Sequence, residues 1–303
     1  MQQNTERYFN RRDFASFLQS IFPNFKVQKI SINGGFTCPN RDGTKGYNGC
    51  TFCNNQTFSP QYAVNGKSIK QQLDEGVRFF SRKYPGMKYL AYFQSYTNTY
   101  DSVENLITKY YEALNCTDVV GLIISTRPDC MPDALLDELE KIAVNHFLLI
   151  EYGVESTNND TLFRINRGHT YENAVETVCR THYRNIFCGA HLILGLPGES
   201  REMILSHADR ISELPLTTVK LHQLQLIKDT KMAHEYLKNP DIFHLYDVNE
   251  YIDLCIDFMS RLNPDFIIER FVSQSPPELL LLPGWGLKNY EFTARLKKKI
   301  NSI

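Results

Sequence analysis

The sequence predicts an α/β chain folded as an open, partial (β/α)6 barrel, with a short N-terminal extension and a helical C-terminal one. Three observations predict it: six short apolar runs that suit strands, amphipathic stretches of helical period between them, and polar or glycine-rich clusters after the runs. Strands alternating with helices make a parallel sheet with helices outside, and six units are fewer than the eight of a closed barrel.

KVQKISI at 26–32 is the first strand, and the Gly- and Asn-rich stretch at 33–58 is loop by composition. An amphipathic segment near 67–83 leads to the apolar-aromatic run at 89–94, then helix over 103–114 and strand over 119–126. The rhythm continues with helix over 133–144, strand over 147–156, helix over 171–184, strand over 190–196, helix over 199–213 and strand over 219–227. Beyond 230 it weakens into helix around 247–262, a short IIERF segment, a proline-rich turn with LLPGW and a terminal KNYEFTARLKKKI. No repeat or low-complexity linker demands a second domain, so the expected organisation is an extension over 1–25, a core over 26–230 and a C-terminal extension over 231–303 packed on the core.

With 303 residues, 42% of them hydrophobic, the chain can bury a sizeable core. Thirty-three Lys and Arg against thirty-four Asp and Glu leave a formal net charge of −1, so no global positive field announces a nucleic acid. The polar N-terminus lacks the pattern of a signal peptide, and no apolar run reaches the roughly 18 residues of a membrane span. A soluble, cytoplasmic protein is expected.

Eight cysteines are too sparse for a disulfide scaffold, and in a reducing compartment close-spaced thiols more often serve metals or catalysis. Cys50-Thr51-Phe52-Cys53 is a CxxC motif, with Cys38 eleven intervening residues upstream in the same loop. Three thiolates from one loop can ligate three irons of a [4Fe–4S] cubane and leave the fourth iron open to a cofactor. The competing reading is a zinc site completed by a distant His or Cys, although neither a second CxxC nor an HxxxH is present. Cys116, Cys130, Cys179, Cys188 and Cys255 stand singly and read as small buried hydrophobes.

A cysteine loop after the first strand of a βα series, with aromatic Phe52 just before the last Cys, resembles the radical S-adenosylmethionine (radical SAM) superfamily. The eleven-residue gap departs from the usual three and is similar to some divergent bacterial subfamilies. EYGVESTNNDTLFRINRGHT, AHLILGLPGES and VKLHQLQLIKDTKMA resemble the elongator catalytic-subunit group, so the likeness covers roughly residues 25–235. It implies a [4Fe–4S] cluster on Cys38, Cys50 and Cys53, with S-adenosyl-L-methionine as the second cofactor.

The resemblance also implies cofactor contacts. Gln94-Ser95-Tyr96-Thr97-Asn98 takes the place of a Gly-Gly-Glu that binds the cofactor's ammonium in related enzymes, with neutral acceptors instead of a carboxylate. Glu155 and Ser156 suit ribose hydroxyls, or Glu155 pairs with Arg127 or Arg167. Gly195-Leu196-Pro197-Gly198-Glu199 would let backbone approach adenine at Gly195 and Gly198, or is a plain βα turn. Arg127 and Arg167 are candidates for the cofactor carboxylate, and His191 and His222 for the substrate pocket or the core.

The implied chemistry is reductive cleavage of S-adenosylmethionine to methionine and a 5′-deoxyadenosyl radical, fed by a flavodoxin- or ferredoxin-type donor. The elongator-like segments suggest tRNA, at a wobble uridine, as substrate, with Arg7, Arg11, Arg12, Arg295 and Lys297–Lys299 as candidate phosphate contacts. The alternatives are a small-molecule or peptide substrate and, from another class, a zinc-stabilised nucleic-acid-binding module.

Overall fold

The computed structural model describes residues 13–57, 62–63, 66–81 and 86–302. Its strands are β1 (Val27–Ile32), β2 (Lys88–Phe93), β3 (Val119–Thr126), β4 (Phe147–Glu155), β5 (Phe187–Leu194), β6 (Thr218–Gln223), β7 (Leu226–Ile227), β8 (Ile267–Arg270) and β9 (Leu280–Leu282). Seven of them form one sheet in the order β1-β2-β3-β4-β5-β6-β8, every neighbouring pair parallel. The sheet curls into a half-barrel that stays open between β1 and β8. The first four residues of IIERF, which the sequence assigns to the C-terminal extension, are thus a seventh barrel strand. The single run expected at 219–227 breaks after Gln223, and its tail becomes β7, antiparallel to β9.

The helices are α1 (Phe14–Ile21), α2 (Ile69–Ser81), α3 (Val103–Leu114), α4 (Asp133–Asn145), α5 (Asn159–Arg164), α6 (Tyr171–Tyr183), α7 (Arg201–Ser212), α8 (Lys231–Lys238), α9 (Val248–Arg261) and α10 (Asn289–Ile300). Short polar residues start many of them: Asp13, Ser102, Asn158, Thr170, Ser200, Thr230 and Asp247 each accept backbone N–H groups of the first turn. Along β4 the outward residues Leu148, Ile150, Tyr152 and Val154 pack into the main core beneath the helices. Cys116, Cys130, Cys188 and Cys255 are buried, whereas Cys179 is exposed, because its place on α6 faces away from that core.

The inward residues stack in layers from the strand N-termini upward, since successive side chains alternate faces. The lowest layer is apolar. α1 carries Phe14, Phe17, Leu18 and Ile21 on one stripe and presses it against Leu90, Ile123, Phe147, Leu149 and Ile267. The Phe17 ring meets Phe147 at 6.3 Å and Phe187 at 5.5 Å between centroids.

Above this plug the lumen turns polar at one level. Glu151, 1% exposed, accepts hydrogen bonds from Tyr92 and Ser125, each at 2.8 Å, and pairs with Lys220 at 2.7 Å. His191 Nε2 lies 3.0 Å from the same carboxylate. Lys29 on β1 and Lys220 on β6 both reach Glu269 on β8, at 2.7 and 2.8 Å, so an ion pair ties the two edges of the open sheet. Burial alone would raise Glu151, but Lys220 and Lys29 hold its carboxyl well below the usual range. Burial and Lys220 push His191 down to about 4.

Two predictions follow from these layers. Phe17→Ala leaves a hole in the plug and should cost about 3–5 kcal/mol, read as a lower denaturant midpoint at unchanged slope. As pH falls, the unfolded His191, at its ordinary 6.5, takes up a proton before the folded one at about 4. Stability is therefore full above pH 6.5 and declines between 6.5 and 4, with Glu151 adding a further loss below the usual carboxylate range. Unfolding free energies from denaturant titrations across that window should lose up to ~3 kcal/mol of their pH dependence in His191→Gln relative to the parent chain.

Candidate functional site

At the strand C-termini the top layer opens into a cavity of about 170 Å³. Cys38, Cys50 and Cys53 all line it, together with Phe52, Gln94, Tyr96, Thr97, Arg127, Glu155 and Arg167. These sequence-predicted residues, 117 positions apart between Cys50 and Arg167, meet in space. Ser95 is buried and outside the cavity wall.

The cysteine loop is held by hydrogen bonds to the segment between α5 and α6. Asn40, 1% exposed, donates to the carbonyls of Asn166 at 2.7 Å and Arg167 at 3.0 Å, and its amide nitrogen lies 3.7 Å from the Cys50 sulfur. Asn166 returns the contact by donating to the Gly49 carbonyl at 2.9 Å, and the Thr51 N–H donates to Ile165 at 2.9 Å. Gly168 is required here: its φ is +75°, and a Cβ would stand 2.5 Å from the Asn40 side-chain oxygen. On the other side the Thr97 N–H donates to the Thr37 carbonyl at 3.1 Å, so the loop after β2 is fastened to the loop after β1.

Guanidinium groups surround the thiols. Arg167 Nη1 lies 3.5 Å from the Cys50 sulfur, and Nη2 donates to the Gly153 carbonyl at 2.6 Å and faces Glu155 at 3.5 Å. Gly153 makes the room, since a Cβ there would stand 2.4 Å from that Nη2. Arg41 donates to the Cys53 carbonyl at 3.1 Å. Burial and the neighbouring Cys50 push the Cys53 thiol up to about 11, against the pull of Arg41. Arg127 forms a two-point bond to Asp129, 2.9 Å on each arm. Burial works against ionisation of Asp129, yet Arg127 and Lys45 hold it at about 2.

Glu155, with φ +69°, turns into the cavity at the end of β4, and burial raises its carboxyl although Arg167 and Arg127 oppose it. Ser156 turns the other way: it is fully buried and donates to Glu199 at 2.5 Å. Glu199 also meets His207 at 3.0 Å, so this cluster braces the loops after β4 and β5 from outside the lumen. Gly195 and Gly198 line a separate cavity beside His244 and Tyr246, away from the cysteines. His191 and His222 both face the lumen, their rings 5.5 Å apart.

Sequence reasoning missed Arg41, Glu151, Gln223, Arg270 and Ser273, which also line the cavity. A strict every-second-residue count from Glu155 back along β4 would have found Glu151; the others come from loops, from the end of β6 or from β8.

The donor set fits a cluster together with a cofactor that carries a carboxylate. Arg127 Nη1 and Arg167 Nε are buried without a hydrogen-bond partner on the cavity wall. No group of three or more His, Cys, Asp or Glu that could hold a metal ion occurs among the described residues. Each thiolate of a cubane binds a different iron, and the three thiols line one wall of a single cavity. Among the described residues no helix is long and apolar enough to cross a membrane.

Residues 37–211 match the radical SAM superfamily and residues 216–302 the Radical_SAM C-terminal domain. The chain is 34% identical over 300 residues to the uncharacterized protein YtqA of Bacillus subtilis, covering 99% of this chain and 91% of that one. A tRNA uridine(34) acetyltransferase of Methanocaldococcus infernus is 24% identical over 54% of this chain, which spans 30% of that relative. Among solved structures, the archaeal Methanocaldococcus infernus Elp3 superposes with a TM-score of 0.67 at 18% identity, over 91% of this chain and 62% of that one. The family match over more than half the chain, and a relative of this identity along almost all of it, establish that the chain belongs to the radical SAM superfamily, as an enzyme whose cofactors are a [4Fe–4S] cluster and S-adenosylmethionine.

Proposed function

We propose that Cys38, Cys50 and Cys53 each ligate one iron of the cluster and that the enzyme modifies tRNA at a wobble uridine. The observation that carries the cofactor assignment is the meeting of the three thiols, two guanidiniums with unpaired N–H groups and Glu155 on one cavity at the strand C-termini. Held by these residues and given an electron from the reductant, the cluster and S-adenosylmethionine would supply reductive one-electron chemistry. The protein's share is to bind and orient. Arg127 offers Nη1 to a carboxylate while Asp129 fixes the rest of its fork, and Arg167 offers Nε while Gly153 and Glu155 fix its other arm. Gln94, Tyr96 and Thr97 supply neutral groups for an ammonium, and Glu155 accepts from ribose hydroxyls. Ile193, Leu224 and Ile227 offer the apolar wall for a base, in place of Gly195 and Gly198. Together these residues exclude water from the reacting centre.

The tRNA reading is supported by the relative whose name carries tRNA uridine(34), through the half of this chain that the two share. Basic residues at the termini do not add to it. Arg7, Arg11 and Arg12 lie outside the described residues. α10 starts beside Phe271 at the top of β8, where Asn289 accepts its N–H, and runs down the outside. Lys297 lies near Asp13 at the start of α1, and Lys299 pairs with Asp253 on α9. A reductant of the flavodoxin or ferredoxin type completes the proposal.

Anaerobic preparations should carry about four irons per chain and form 5′-deoxyadenosine with dithionite and S-adenosylmethionine. Cys38→Ser, Cys50→Ser and Cys53→Ser should each lose both; zinc in place of iron, without cleavage, would sink the cofactor assignment. For the substrate, the enzyme should be retained on tRNA at 50 mM salt and released by 200 mM. Nucleoside mass spectrometry after reductive incubation should show a changed uridine. No retention at low salt and no new nucleoside would turn the search to small molecules and peptides.

A further inference from the structure

Four arginines line the lumen cavity, and three of them are matched. Asp129 clamps Arg127, Glu155 and the Cys50 sulfur face Arg167, and Arg41 lies against Cys53. Arg270, the last residue of β8, has no carboxylate partner among the described residues. Its Nη2 reaches the His222 ring at 3.3 Å from either nitrogen, and its Nε is buried with no hydrogen-bond partner. A guanidinium presents five donors in a planar fork, and one imidazole lone pair occupies few of them. The charged layer beneath offers no compensation, because Glu151 and Glu269 are already balanced by Lys29 and Lys220.

Neutral groups complete the surroundings. Ser273 Oγ contacts His222 Nδ1, and burial together with Arg270 keeps that ring neutral by pushing its pKa far down. A neutral ring that gives its Nδ1 proton to Ser273 and accepts Arg270 at Nε2 leaves the serine hydroxyl proton free for a ligand. Gln223 holds this segment in place, accepting the Ser273 N–H at 2.6 Å and donating to its carbonyl at 3.1 Å.

Arg270 also stands where two spaces meet. It lines the lumen cavity and a wider cleft of about 940 Å³ on the open side of the sheet, bounded by Lys29 and Ser31 of β1, Glu269 of β8, and Arg78 and Phe79 of α2. Tyr92 and Gln94 belong to both walls.

We propose that Arg270, with Ser273 and His222, forms an oxyanion-binding subsite for the substrate, reached through the cleft between β1 and β8. The group it takes is a carboxylate or a phosphoryl group; on a tRNA substrate it is a backbone phosphate. The subsite deepens the reading above, since it lies in the same lumen as the cofactor and would fix one end of the substrate there.

The test uses the holoenzyme with oxidised cluster and saturating S-adenosylmethionine, without reductant, so that the upper arginines are occupied and nothing turns over. Inorganic phosphate and succinate are titrated by calorimetry at constant ionic strength. The expected result is saturable binding of one equivalent of at least one probe, weakened tenfold or more in Arg270→Gln and partly restored in Arg270→Lys. Ser273→Ala, which leaves the charge in place and guards against a misfolded arginine variant, should weaken it several-fold. Preference for phosphate identifies a phosphoryl source and preference for succinate a carboxylate. Absence of binding by either probe, or equal binding by the parent and Arg270→Gln, overturns the proposal. Iron content and S-adenosylmethionine binding on the same preparations test the cofactor assignment separately: their loss overturns that assignment, and loss of anion binding with both intact overturns this one.

Discussion

In a curled parallel sheet every second residue of each strand enters one lumen, and what a given level holds is decided by parity along the strand. On β4 this places Phe147 and Leu149 in the plug, Glu151 in the charged layer, Gly153 beside Arg167 and Glu155 at the cavity. The opposite parity, Leu148 to Val154, is apolar throughout and packs under the helices. A one-residue slip of β4 would send Glu151 and Glu155 into that apolar layer and turn the cavity floor hydrophobic. The site therefore depends on register before it depends on any single contact.

The charged layer is costly in a way the plug is not. Two carboxylates and two ammonium groups leave water there, and replacing such buried pairs by well-packed apolar residues often leaves a fold as stable or more so. Extending the α1 plug one level higher would have been the simpler way to fill the lumen. Its replacement by Tyr92, Glu151, His191 and Lys220 makes a polar floor just where the open cavity begins, and the Lys29–Glu269 pair puts the same chemistry across the gap between the sheet edges. The position of the layer is better explained by what the floor must face than by stability.

The repeated βα units, most strand positions and the cysteine loop were legible because each is written in local pattern: apolar runs of strand length, helical periods between them, and thiols close in sequence. β8 was not, since four residues ending in Glu-Arg carry no strand signal apart from their pairing with β6. Ser156 was taken together with Glu155, yet the positive φ of Glu155 and the register shift between Gly153 and Glu155 send the two side chains to opposite sides of the strand end. Gly195 and Gly198 stand at a βα turn and line a cavity apart from the cysteine wall, a separation that only the folded chain shows. Arg270 and Ser273 were invisible because their importance comes from what surrounds them after folding.

The cysteine loop that we propose to hold the cluster is fastened by groups that would bind no metal. Asn40, Asn166 and Thr51 fasten the loop to the chain just after α5 through neutral hydrogen bonds, and Gly168 is the one residue whose backbone lets Asn40 approach. The Cys53 thiol itself opposes assembly: burial and the neighbouring Cys50 disfavour its thiolate, and Arg41 offsets part of that cost. Arg167 also faces the cavity with its Nε left over. In the proposed assignment one guanidinium thus stands between a thiolate on one side and the cofactor's carboxylate on the other, a double task that suits the several donors of an arginine fork.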